Sequence, residues 1–134
     1  MSSVDEIPDE RAQVAGVVRD YLEGWYTADP ERIGRSLHPD MVKRYVDALP
    51  AGRQFVRSAT RDLMVEATRA GGGSKVPPEN RNITVDVLDV SADIAVARAS
   101  SSEYLEYHSL AKCNGEWRII NILWRSQASA ARPR

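Results

Sequence analysis

The stretch Tyr107–Arg125, YHSLAKCNGEWRIINILWR, constrains the fold more than any other. Two runs of strand-forming residues flank Asn114-Gly115. Asn-Gly tolerates positive φ at both central positions of a type I′ turn, so the pattern predicts a tight β-hairpin. The second arm is rich in Trp and Ile, which suit a pleated, partly buried surface. Strict alternation divides it into Trp117, Ile119, Asn121, Leu123 on one face and Arg118, Ile120, Ile122, Trp124 on the other. Both faces are largely apolar, so both need covering: helices on one side and a second copy of the chain on the other. A homodimer through the sheet is therefore expected.

A chain of 134 residues fits one domain. Its formal net charge is −1, with acidic and basic residues mixed throughout. That balance excludes the clustered basic footprint of a nucleic-acid binder. The acidic N-terminus lacks the apolar core of a signal peptide, and no apolar run approaches the ~20 residues of a membrane span. A soluble cytoplasmic protein without a membrane partner is expected. Cys113 is the single cysteine and reads as a packed strand residue. Two widely spaced histidines without an HxH or HExxH pattern give no basis for a metal site, and no cofactor is expected.

Residues 1–8 read as a flexible leader, 9–126 as the domain and 127–134 as a flexible tail. Asp9 caps a helix whose apolar stripe is Val14, Val17, Val18, Tyr21, Leu22 and Trp25. Asp29-Pro30-Glu31 starts a second, short helix. His38-Pro39 stops it, with His38 expected to cap the last carbonyls. Met41–Ala48 reads as a short strand or extended segment, Leu49–Gly52 as a loop, and Ser58–Ala70 as a third helix. Gly71-Gly72-Gly73 ends that helix and opens a mobile linker; the GxxxxGK[ST] pattern of a phosphate loop is absent. From Asn82 the apolar period changes to two. Val85 and Val87 continue, after a phase shift, as Leu88 and Val90; Ser91-Ala92-Asp93 turns the chain. Ala95, Ala97 and Ala99 then line one face of the next strand, leaving room for a helix or a ligand. Tyr104–Glu106 reads as a turn or bulge before the final hairpin. Helices first and an antiparallel meander afterwards make an α+β domain.

The phrases Tyr21-Leu22-Glu23-Gly24-Trp25-Tyr26, Leu37-His38-Pro39-Asp40, Leu88-Asp89-Val90 and Leu110–Ile119, in that order, resemble the nuclear transport factor 2-like superfamily. Within it they are similar to the bacterial subgroup named "putative lumazine-binding" or SnoaL-like. The resemblance covers about residues 10–126. It implies a cone: three N-terminal helices packed on a curved antiparallel sheet with a mixed edge. It does not by itself imply a function, because this fold hosts isomerases, dehydratases, cyclases and pure binders. Against ketosteroid isomerase, Tyr21 falls where that family has its helix-one tyrosine. Tyr45 falls where the aspartate base belongs, and the partner acid would fall at about Tyr107–Ser109, a span that holds no carboxylate of its own. A phenol is a poor base at neutral pH, so ketosteroid isomerisation is not expected.

The remaining candidates are His108 with Glu103 or Asp40 as a proton-transferring pair, in which the carboxylate orients the imidazole. Tyr21, Trp25, His38, Tyr45 and Trp124 are expected to line an apolar pocket between the first helix and the sheet. The expected ligand is small and partly aromatic or polyketide-like. Three functions remain open on the sequence: a small-molecule binder, a SnoaL-like enzyme of cyclase, isomerase or dehydratase type, and a non-catalytic dimeric interaction module.

Overall fold

A computed structural model of the chain describes residues 9–127, so the leader and all of the tail but Gln127 lie outside the described residues. The first helix, α1 (Glu10–Tyr26), begins where Asp9 accepts the Ala12 N–H at 3.1 Å. The second, α2 (Pro30–Ser36), begins where Asp29 accepts the Arg32 N–H and Pro30 occupies the first turn. Six strands follow with a third helix among them: β1 (Leu37–Ala48), β2 (Gln54–Thr60), α3 (Arg61–Arg69), β3 (Thr84–Ser91), β4 (Ile94–Ser100), β5 (Tyr104–Cys113) and β6 (Glu116–Ser126). No helix among the described residues is long and apolar enough to cross a membrane.

The strands form one sheet in the order β2-β1-β6-β5-β4-β3. Its neighbours are antiparallel except β1 and β6, a parallel pair in the middle of the sheet. The meander β3–β6 supplies four strands, and the β1–β2 hairpin extends the sheet beside the last of them. The β5–β6 turn is the expected one, with Asn114 at φ 53° and Gly115 at φ 81°. Helix α1 lies across the inner face. Val14, Val18, Tyr21 and Leu22 meet Ala95, Ala97 and Ala99 of β4, Leu110 of β5, and Trp117, Ile119 and Ile122 of β6. Each aliphatic side chain fully buried there contributes about 1.5–3 kcal/mol. The small residues of β4 make room for this helix.

Several local expectations are corrected. Ser58-Ala59-Thr60 belongs to β2, and α3 starts only at Arg61, where the Thr60 hydroxyl accepts the Leu63 N–H at 3.2 Å. His38-Pro39 does not close a helix by capping. It lies inside β1, where His38 Nδ1 accepts the Asp40 N–H at 3.0 Å. Tyr104–Glu106 is strand from its first residue. Cys113 ends β5 beside the turn and is exposed, not packed.

The faces of β6 also differ from strict alternation. Leu110 pairs with Ile119 but Ser109 with Asn121, so Ile120 is the extra residue of a β-bulge. The bulge switches the phase of the strand. Trp117, Ile119, Ile122 and Trp124 therefore all face the helices, while Arg118, Ile120, Asn121 and Leu123 face outward. The outer face is mixed rather than fully apolar. The phase shift expected in β3 is present between Val87 and Asp89.

Candidate functional site

Alternation along β1 points Met41, Lys43 and Tyr45 to the inner face. On β5 it does the same for Tyr104, Glu106 and His108. Register brings them together. Ile122 pairs with both Lys43 and His108, and Trp124 pairs with Glu106, so three adjacent strands place these side chains in neighbouring rows. Helix α1 covers the group with Tyr21 and Trp25 at i and i+4 on one face.

A buried polar chain runs through this cluster. Lys43 Nζ donates to the Tyr21 hydroxyl at 2.7 Å and stands 3.8 Å from Glu106 Oε2. Glu106 Oε1 lies 2.8 Å from His108 Nε2. Both members of that pair are about 1 % exposed. A carboxylate only accepts, so Nε2 carries the proton. His108 Nδ1 is buried without a hydrogen-bond partner. The Tyr21 ring meets the His108 ring edge-on at 5.3 Å.

Aromatic rings surround the Lys43 ammonium. Their centroids lie 5.1 Å (Trp124), 5.4 Å (Tyr21), 5.7 Å (Tyr104) and 6.0 Å (Trp25) from Nζ. Trp124 packs on Tyr45 at 4.5 Å and edge-on to Tyr104 at 5.3 Å. Tyr21 is fully buried, whereas Tyr45, Tyr104, Trp25 and Trp124 remain half-buried. Trp25 lies against Gly72 and Gly73, where an added Cβ would stand 2.4 Å from the indole. The triple glycine therefore seats this tryptophan as well as ending α3.

Burial sets the protonation preferences, and neighbouring charges modify them. Burial pushes the Glu106 carboxyl up, but Lys43 and His108 together outweigh it and leave the group below the ordinary glutamate value of 4.5. Burial pulls the Lys43 ammonium below its usual value against the opposing attraction of Glu106. Burial, then the charge of Glu106, holds the Tyr21 phenol well above its usual value. Tyr104 is pushed up to about 12, chiefly by burial and then by Glu103.

Two carboxyls elsewhere are also depressed. Glu10 accepts from Lys112 at 2.8 Å and from Trp117 at 2.6 Å. Asp47 accepts from the Ala48 N–H at 2.8 Å and from Arg57 at 2.9 Å. A carboxyl whose folded pKa lies below its unfolded one binds fewer protons in the folded chain. Its contribution is fully present above the unfolded value and is lost as pH falls through the folded value. Urea midpoints measured from pH 7 downward are therefore expected to hold until about pH 5 and then fall. A midpoint that rises on acidification would contradict these pairings.

The structure draws His108, Tyr21, Trp25, Tyr45 and Trp124 into one cluster and leaves three other candidates outside it. Glu103 lies in the β4–β5 connection, half-buried, with its carbonyl accepting the Gln127 N–H. The Asp40 side chain is 94 % exposed and sits 4.0 Å from His38 Nδ1, at the far end of β1 from Tyr45. The carboxylate beside His108 is Glu106, not Glu103 or Asp40. Lys43, Glu106 and Tyr104 are the site residues that sequence reasoning missed. Glu106 carried a usable signal, because a carboxylate two positions before a histidine shares its strand face. Reading that segment as a turn concealed it.

A family model described as "Putative lumazine-binding" matches residues 9–125. A nuclear transport factor 2-like protein from Shewanella baltica superposes with a TM-score of 0.67 at 14 % identity, covering 100 % of this chain and 99 % of that one. A ketosteroid isomerase-like protein from Erwinia carotovora atroseptica does so with a TM-score of 0.59 at 18 % identity, covering 90 % and 98 %. At such identities the likeness shows the fold alone. A curated relative, the HTH-type transcriptional regulator IlvR of Caulobacter vibrioides, is 30 % identical over 86 residues, 62 % of this chain. The match covers 28 % of that regulator, so the chain spans less than a third of its length. With a family model running nearly the whole described length of a three-helix, six-strand α+β domain, the chain belongs to the family described as "Putative lumazine-binding" and shares its fold with the nuclear transport factor 2-like proteins it superposes on.

Proposed function

We propose that the chain is a small-molecule-binding protein whose ligand site is the aromatic group around Lys43, at the end of the inner face away from the Asn114-Gly115 turn. The observation that carries this reading is the set of half-buried rings around one buried ammonium. Half-buried aromatic rings suit stacking against a planar molecule, and the ammonium offers a charge-assisted donor to its oxygen. The ligand is thus small, partly aromatic and oxygen-bearing. Trp25 and Trp124 line the site while Trp117 hydrogen-bonds Glu10, so tryptophan fluorescence reports occupancy. Titration with 4-hydroxybenzoate and related phenols is expected to quench emission, and Trp124→Ala to weaken binding about tenfold or more, roughly 1.4 kcal/mol. Equal affinity in Tyr45→Ala, Trp124→Ala and the parent chain would remove the site.

The buried His108–Glu106 contact favours a second reading, a SnoaL-like enzyme in which His108 moves a proton and Glu106 orients the imidazole. Tyr21, with its raised pKa, stays a neutral donor in such a scheme. In that case His108→Asn abolishes turnover while leaving the fluorescence titration intact; unchanged turnover would dismiss the enzyme.

Assembly as a homodimer through the outer sheet face is part of the proposal. Ile94, Val96, Tyr107, Ile120 and Leu123 are exposed there, beside a shallow hollow of about 270 Å³. Asp86 and Asp89 lie on the β3 side, and Arg44 and Arg125 on the β1–β6 side. A two-fold axis near β5 sets each group on the opposite one of the partner. Light scattering is expected to give a dimer that Leu123→Arg converts to a monomer; a parent chain monomeric at high concentration would contradict it. The exposed free thiol of Cys113 suits the reducing cytoplasm, where we place the protein.

A further inference from the structure

We propose that Lys43 is an amine nucleophile that captures the carbonyl group of an aromatic aldehyde or ketone as an imine. The inference rests on the ligand-site reading above and names the chemical class of its ligand.

The arrangement around Lys43 is not that of a simple ion pair. A lysine serving only to balance Glu106 would donate its shortest hydrogen bond to that carboxylate. Here the short bond of Glu106 goes to His108 at 2.8 Å, while Lys43 stands 3.8 Å away and donates instead to a phenol. Nζ also lies over the rings of Trp25, Tyr104 and Trp124. Rings stabilise a cation there without fixing its proton in a tight bond, and they stabilise an iminium ion equally well. About 10 % of the Lys43 side chain stays open to solvent, between half-buried rings that a planar carbonyl compound would stack on. Burial also lowers the affinity of the amine for its proton, which is how lysine nucleophiles are activated.

The step balances with groups already present. The Lys43 ammonium passes one proton to the Glu106–His108 pair. The free amine then attacks the carbonyl carbon, a C–N bond forms, and the π electrons move to oxygen; Tyr21 gives its proton to that oxygen and takes one back from the new N–H, leaving a neutral carbinolamine. The carbinolamine C–O bond breaks, oxygen leaves as water with the proton returned by the pair, and the C=N bond forms. One ammonium and one carbonyl give one iminium and one water, with no oxidant or reductant.

The chain has three lysines, Lys43, Lys75 and Lys112, so selectivity can be read directly. The full chain is treated with 4-hydroxybenzaldehyde and sodium cyanoborohydride, which reduces an imine to a stable amine. Peptide mass mapping then gives the labelling rate at each lysine. Lys43 is expected to label at least about tenfold faster than exposed Lys75. Lys43→Arg keeps the charge and is expected to remove the fast label, with circular dichroism confirming the fold. Labelling of Lys43 no faster than Lys75 overturns the inference. The same samples are titrated with 4-hydroxybenzoate, which has no aldehyde to condense. Quenching without fast labelling sinks imine formation and spares the ligand site; neither quenching nor fast labelling sinks both.

Discussion

Glu106→Leu is expected to lower the unfolding free energy by about 3–5 kcal/mol, read as a shift in urea midpoint. The substitution leaves Lys43 as a buried ammonium with no counter-charge and removes the acceptor of the His108 Nε2–H. Against a typical domain stability of about 5–15 kcal/mol, that loss is large. Adding Lys43→Met to the same chain is expected to restore much of it, because no unpaired charge then remains. Glu106→Gln keeps an oxygen for His108 and loses only the charge, so its cost falls between parent and Glu106→Leu. A Glu106→Leu chain within about 1 kcal/mol of the parent would show that the pair is solvated like a surface ion pair. The buried polar chain described here would then be wrong.

Gly73→Val is expected to cost about 1–3 kcal/mol and to weaken ligand binding at the same time. Any Cβ at this position meets Trp25 Nε1 at 2.4 Å, and one at Gly72 meets Trp25 Cη2 at 2.4 Å. Either the turn after α3 opens or the indole swings away from the Lys43 ammonium, which it faces at 6.0 Å. Both outcomes alter the wall of the site, although neither glycine contacts Lys43. Gly16→Ala serves as the control. Nothing lies within 4 Å of its added Cβ, and an alanine inside α1 is expected to stabilise by about 0.5–1 kcal/mol. Parent-like stability and affinity in Gly73→Val would mean that Trp25 is free to move and does not help shape the site.

Much of the fold was legible because its signals are local. Asp9 and Asp29 bond to the helix starts they precede, and Asn114-Gly115 takes the positive φ pair that only such residues adopt readily. The Ala95, Ala97, Ala99 face left room for a helix or a ligand, and the helix α1 fills it. The failures have a different origin. Whether His38-Pro39 stops a helix or enters a strand depends on the parallel pairing of β1 with β6, a contact across about eighty residues. The bulge at Ile120 is fixed by the register of β5 and not by β6 itself, so alternation assigned Ile122 and Trp124 to the wrong side relative to Trp117. The site suffered most. Lys43 looked like an ordinary charged residue on an extended segment, since nothing in its neighbours shows that four rings from α1, β5 and β6 converge on it. His108 was found by its chemistry, but its partner depended on knowing where β5 begins.

Native mass spectrometry of the full chain, equilibrated with a panel of small aromatic carboxylates, aldehydes and ketones, reads occupancy of the Lys43 site. The expected result is a retained mass at one ligand per chain, lost in Trp124→Ala and kept in a control altered away from the site, such as Gly16→Ala. Retention of the same compounds by Trp124→Ala, or by none of these proteins, would contradict the assignment of the aromatic group around Lys43 as the ligand site.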